Sequence, residues 1–173
     1  LADSLRRFLN TEYSFEKRRE SINSQESFDP AAFSALADLG VLGLSIPSQY
    51  GGFGEDASTE MLVQKELGRA LVLEPVIASS VISSAILEKF GSEPQKEHWL
   101  TAVAQGNAIV SPAYLESNSR ECTTAKGARY KRDGEHYVLS GHKCLVWHGC
   151  VAHAFLVSAY DDAKNAHSVF LIP

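Results

Sequence analysis

The hydrophobic period of the chain changes at Asn107, and that change limits the folds open to it. Before this point apolar residues recur at spacings of three and four, the period of an α-helix. After it, short apolar runs alternate with turn residues, the pattern of strands. The reading is α+β: an all-helical N-terminal domain over residues 1–106, then an antiparallel β-domain over 107–173.

The helical part is marked by its starts and stops. Leu5, Phe8, Leu9, Tyr13 and Phe15 form a rough stripe in one helix over 1–24, and Ser24–Ser27 reads as a connection. Asp29-Pro30 pairs a capping acceptor with a proline at the first helical position; Phe33, Leu36 and Ala37 follow, and Gly40 supplies the stop. Residues 41–56 hold Pro47, Gly51, Gly52 and Gly54, which suit a tight loop. A third helix over 58–72, capped by Asp56 or Ser58, is expected to turn Met61, Leu62, Leu67, Ala70 and Leu71 inward before Pro75 breaks it. A fourth runs from 76 to 90 and ends at Gly91. Ser92 and Gln95 are spaced as a capping box for a fifth, with Trp99, Leu100 and Val103 on one side and Gly106 as its end.

The β-part predicts strands at Ala108–Leu115, Ala125–Tyr130, His136–Ser140, Cys144–Trp147, Ala154–Ala159 and Ser168–Ile172. Pro112 places the first at an edge or bulge. Residues 116–123 read as a polar loop, and Arg132-Asp133-Gly134, Ser140-Gly141 and Asp161–Asn165 as turns. The stretch Tyr137–Ala152 is the most informative. Successive side chains of a strand point to opposite faces, so Leu145 and Trp147 share one face, and Cys144, Val146 and His148 the other. The chain stops at Pro173 directly after an apolar strand, so a further C-terminal portion is expected.

Composition narrows the function classes. A net charge of −5 argues against nucleic acid as the main partner. Three cysteines, an odd number, make no disulfide framework and suggest a reducing compartment. The N-terminus lacks the apolar core of a signal peptide, and the charge-free run Cys144–Tyr160 is a poor membrane span. Arg6-Arg7, Arg18-Arg19 and the Lys65-Glu66/Arg69 set read as solvated charge on helix surfaces.

Three strings in order, LGVLGLSIPSQYGGFGEDASTEMLVQKELGRA (39–70), FGSEPQKEHWLTAVAQG (90–106) and DGEHYVLSGHKCLVWHGCVAHAFLVSA (133–159), carry a resemblance to the acyl-CoA dehydrogenases that covers nearly the whole chain. The resemblance implies a helical domain, a β-barrel-like middle domain and a C-terminal four-helix domain that is absent from this chain. It also implies FAD between the last two, and α,β-dehydrogenation of an acyl-CoA thioester. In that chemistry a carboxylate base takes the α-proton and hydride passes to the flavin; the base lies beyond residue 173, so no catalytic residue is assigned here. The implied partners are acyl-CoA, an electron-transfer flavoprotein or similar acceptor, and a homo-oligomer or a related dehydrogenase subunit. The implied location is cytoplasmic, or the mitochondrial matrix in a eukaryote.

The departures fall on the cofactor. Where the family carries Thr-Glu-Pro followed by Gly-Ser-Asp, this chain has Leu115-Glu116-Ser117, then Asn118-Ser119-Arg120-Glu121-Cys122. Where it carries an aromatic, an aliphatic and a hydroxyl residue, this chain has Leu145-Val146-Trp147. The implied cofactor-binding residues are thus Tyr114, Leu115, Val146 and Trp147, acting through main-chain N–H groups. Three readings stay open: a flavin enzyme with altered contacts, a degenerate or half-site subunit of a heteromeric dehydrogenase, and a flavin-free acyl-thioester or small-ligand binding module.

Other constellations carry less. His142, Cys144, His148, Cys150 and His153 invite a zinc site, but alternate residues of a strand lie about 6.6 Å apart and cannot gather four ligands. Gly51-Gly52-Phe53-Gly54 lacks the lysine of a phosphate loop and follows no strand. Ser79, Ser80, Ser83 and Ser84 suit close helix packing, or the lining of an acyl pocket if the resemblance holds.

Overall fold

The computed structural model describes residues 1–117, 119 and 126–173, and the chain divides into two units, Leu1–Ile109 and Val110–Pro173. The first is helical: α1 Ala2–Glu12, α2 Phe15–Ile22, α3 Pro30–Asp38, α4 Ala57–Arg69, α5 Ser84–Phe90 and α6 Glu93–Ala104. Its core holds Leu5, Leu36, Leu42, Ile46, Val63, Leu100 and Val103, each nearly inaccessible to solvent.

Local chemistry explains most of the boundaries. Asp29 caps α3 by accepting from the Ala31 N–H at 2.8 Å, with Pro30 at the first position. Asp56, not Ser58, caps α4, accepting from the Thr59 N–H at 3.0 Å. The capping box at α6 is present, and Gln95 Oε1 accepts from the Ser92 N–H at 3.0 Å. The loop between α3 and α4 folds back on itself, with Phe53 N donating to Gly43 O and Gly54 N to Ile46 O. Gly52 sits where a Cβ would lie 2.0 Å from Ile46 O, so no larger residue fits that approach.

Several expectations need correction. The helix expected over 1–24 is two helices, because Ser14 caps a new start by accepting from Lys17 N at 3.2 Å. On α4 the inward face is Val63, Glu66 and Leu67; Met61, Leu62 and Leu71 are exposed. A broad apolar arc does not say which of its edges meets the core. The expected helix over 76–90 begins as a π-helix, Val76–Ser83, and becomes α-helical only at Ser84. Its serines are buried, and the hydroxyls of Ser80 and Ser83 have no hydrogen-bond partner among the described residues.

Glu66 is likewise not a surface charge. Its side chain is 3% exposed and takes Arg6 Nη2 at 2.5 Å and Arg69 Nε at 3.1 Å. Arg6 Nε adds a second bond at 2.9 Å, so α1 is pinned to α4 by a forked contact. The hydrogen bond from Arg6 dominates over the cost of burial and holds the Glu66 carboxyl down to about 2.

The second unit is a mixed sheet. Its strands are β1 Val110–Ala113, β2 Arg129–Asp133, β3 His136–Ser140, β4 Ala154–Asp161 and β5 Ala166–Ile172. β5 lies antiparallel along one edge of β4. The other edge is shared: β1 pairs in parallel with its start, Val110 opposite Ala154, and β2 meets its end, Arg129 opposite Tyr160. β2 and β3 form the expected hairpin around Gly134. The expected α+β fold is present, with β2–β3 and β4–β5 antiparallel as expected; β4 adds parallel contacts with β1 and β2, and among the described residues the sheet does not close. β1 is buried throughout, which suits a parallel neighbour. Pro112 sits on this edge strand, where a missing N–H is tolerated. Ala128, Tyr130 and Ala159, with Leu139 and Phe170 against them, make the core beneath the hairpin.

Two outcomes follow for the helical unit. Leu36→Ala should lower unfolding stability by about 2–5 kcal/mol in urea titration, the usual cost of such a cavity. Glu66 has its folded pKa below the unfolded value, so its contribution is complete above the unfolded carboxylate range and disappears as pH falls towards 2. Glu66→Gln should lower the denaturation midpoint near neutral pH and differ progressively less from the parent as the solution is acidified.

Candidate functional site

The candidate residues Tyr114, Leu115, Val146 and Trp147 all lie in the sheet unit, on two segments that run side by side. The first leaves the end of β1. The second, expected as a strand over Cys144–Trp147, is irregular: Leu145 and His148 have φ of 51° and 54°. The left-handed conformation turns the chain and breaks any ladder. The segment is held sideways instead. Cys144 N donates to Leu115 O at 2.9 Å, and Ser111 Oγ, fully buried, donates to Trp147 O at 2.8 Å.

This arrangement keeps the alternation without the strand. Leu145 is 79% exposed and Trp147 48% exposed, whereas Cys144, Val146 and His148 are partly covered. The indole is therefore not committed to the interior. The N–H groups of Val146 and Trp147 donate to nothing among the described residues, so both are available to an external acceptor. Tyr114 and Leu115 are half-buried beside them.

Beneath the two segments lies a charge cluster that sequence reasoning passed over. Glu116, 7% exposed at its side chain, receives the Gly127 N–H at 2.7 Å, the Ala128 N–H at 2.8 Å and Lys143 Nζ at 2.7 Å. Lys143 is 8% exposed and also reaches Ser158 Oγ of β4 at 3.1 Å. Burial works to push the Glu116 carboxyl up, but Lys143 and the two N–H groups outweigh it and hold it below the usual range. One signal was available: a glutamate and a lysine, 27 residues apart, each adjoining a candidate segment.

Of the segment Asn118–Cys122, only Ser119 is among the described residues; the others lie outside them. Among the described residues no group of three His, Cys, Asp or Glu is placed to hold a metal ion, and no helix is long and apolar enough to cross a membrane.

Comparison with known proteins adds independent information. Residues 1–107 match the family described as acyl-CoA dehydrogenase, N-terminal domain. The chain is 31% identical to the acyl-CoA dehydrogenase FadE12 of Mycobacterium tuberculosis, over 94% of this chain and 42% of that protein. It is 28% identical to the probable acyl-CoA dehydrogenase YngJ of Bacillus subtilis, over 89% of this chain and 42% of that protein. The chain thus spans less than half the length of these relatives. Among solved structures, it superposes on the ChsE4–ChsE5 complex from Mycobacterium tuberculosis with a TM-score of 0.88 and 26% identity, over 99% of this chain and 45% of that one. A glutaryl-CoA dehydrogenase from Mycobacterium smegmatis in complex with FADH2 gives a TM-score of 0.87 and 26% identity, over 99% and 44%.

The bond that seats the indole-bearing segment can be removed singly. Ser111→Ala should cost about 1 kcal/mol of stability, the net worth of one hydrogen bond, as read by the urea midpoint. It should also raise acrylamide quenching of the Trp147 emission.

Proposed function

The chain belongs to the acyl-CoA dehydrogenase family, and from that premise we propose that it forms the N-terminal helical domain, residues 1–106, and much of the middle β-domain, from 107, of an FAD-dependent dehydrogenase. Its reaction is α,β-dehydrogenation of an acyl-CoA thioester. The observation that carries this reading is the exposed ledge at 144–147, where two main-chain N–H groups have no acceptor among the described residues, beside a half-exposed indole.

The ledge fits a flat, heteroatom-rich ring through the backbone rather than through side chains. Main-chain N–H groups at Val146 and Trp147 serve as donors to ring acceptors whatever side chains stand there. Trp147 offers an aromatic face to stack on. Tyr114 and Leu115 border the same edge, and Leu115 supplies apolar cover that keeps water from the ring. FAD, when bound, supplies the hydride acceptor. The residues of this chain bind it, orient it and exclude water; the proton-abstracting carboxylate is assigned to no residue among them.

A second reading has its own support. Leu115 and Trp147 stand where the resemblance expects hydroxyls, so side-chain bonds to the cofactor are missing at both positions. The ChsE4–ChsE5 neighbour is a complex of two named subunits. On this reading the chain is one subunit of a heteromeric dehydrogenase, and a related partner subunit completes the flavin site.

The test is to purify the full-length protein alone and co-expressed with a related dehydrogenase subunit, and to record the visible spectrum of each. The first reading expects a bound flavin in the protein alone, bleached anaerobically by an acyl-CoA. The second expects flavin only in the co-expressed preparation. Absence of flavin from both, persisting after incubation with FAD, overturns the redox assignment and leaves a flavin-free ligand-binding module.

A further inference from the structure

A buried ion pair contributes little to stability on balance, because desolvation of both charges offsets their attraction. Two apolar side chains of similar volume would supply the cohesion beside β4, though not the acceptor that the Gly127 and Ala128 N–H groups use. The pair between Glu116 and Lys143 nevertheless leaves almost no bonding capacity unused. Glu116 takes three donors, and Lys143 reaches Glu116 Oε1, Ser158 Oγ and, at 3.5 Å, the Tyr114 carbonyl.

The position of the pair is its second feature. Glu116 directly follows Leu115, and Lys143 directly precedes the Cys144–Trp147 ledge. The Cys144 N–H to Leu115 O bond lies between them. Glu116 is also backed by a glycine: a Cβ at Gly127 would stand 2.7 Å from Glu116 Oε2. The carboxylate is therefore held from two sides, by Lys143 and by the Gly127–Ala128 backbone, whose close approach depends on the lack of a side chain at 127.

We propose that the Glu116–Lys143 pair is a positioning device that sets the register between the 114–116 and 143–147 segments, and so aims the Val146 and Trp147 N–H groups at the flavin ring. The directional bonds of a charged pair fix one register, whereas an apolar pair of the same bulk permits sliding. Neither residue is a catalytic residue; both act through the backbone beside them. The proposal rests on the reading of this ledge as the flavin edge.

The discriminating variant is the apolar replacement Glu116→Leu/Lys143→Met in the full-length protein, in its complex if the partner is required. Its urea midpoint should fall only modestly, because the charged pair itself is replaced at little net cost while the Gly127 and Ala128 N–H groups lose their acceptor. Its FAD affinity, measured by quenching of flavin fluorescence, should fall about tenfold, the worth of one misplaced hydrogen bond. Amide exchange at Cys144 and Gly149, both hydrogen-bonded in this region, should accelerate by about tenfold, while the paired amides of the β4–β5 ladder keep their protection. Lys143→Arg should retain most of the affinity, and Gly127→Ala, which displaces the carboxylate without touching the ledge, should lower it.

Unchanged FAD affinity and unchanged exchange at Cys144 in the double variant overturn the proposal. Acceleration spread equally over β4 and β5 also overturns it, since the pair then merely holds the sheet. If the double variant does not fold, the Gly127→Ala and Lys143→Arg pair decides on the same two readouts. If the parent itself binds no FAD, the functional reading fails, and the local exchange pattern alone decides whether the pair sets the register.

Discussion

A carboxylate taken out of water must be met by enough donors to replace its hydration, and this demand organises both halves of the chain. In the helical unit Glu66 draws Arg6 and Arg69 together and thereby locks α1 against α4. In the sheet unit Glu116 gathers a lysine and two backbone N–H groups from two separate segments. Apolar burial supplies the bulk of the cohesion, but it is indifferent to small slips of one element along another. The two carboxylates are not, because each accepts along defined directions.

The sequence makes local features plain and distant ones obscure. Asp29-Pro30, Asp56 and the Ser92/Gln95 pair mark helix starts because a cap is a bond between residues two or three apart. The β2–β3 hairpin is legible for the same reason. By contrast, the parallel contact of β1 with β4 joins residues on either side of a long excursion, and nothing in either strand names its partner. Glu66 looked like surface charge because its neighbour Arg69 suggests an ordinary helix pair, while the partner that buries it, Arg6, lies 60 residues away.

The ledge at 144–147 is an intermediate case. The alternation of exposed Leu145 and Trp147 with covered Val146 is visible in the residue types, yet the strand inferred from it does not form. Apolar alternation records which side chains face out; it does not record whether the backbone satisfies itself through a ladder or through scattered lateral bonds. Ser111 and Leu115 provide the lateral bonds here, and neither stands out in sequence. The resemblance points to this stretch, whereas the contacts of Lys143 join residues too far apart in the chain for sequence spacing to show them.

Leu145 has a consequence for handling the protein. A leucine wound left-handed gains nothing from backbone preference, and with most of its surface open to solvent it gains little from burial. Asparagine would accept the same backbone angles with less strain and present a wettable tip. Leu145 thus places an uncovered apolar side chain next to an indole, and making that one side chain polar should leave an unliganded ledge less prone to self-association.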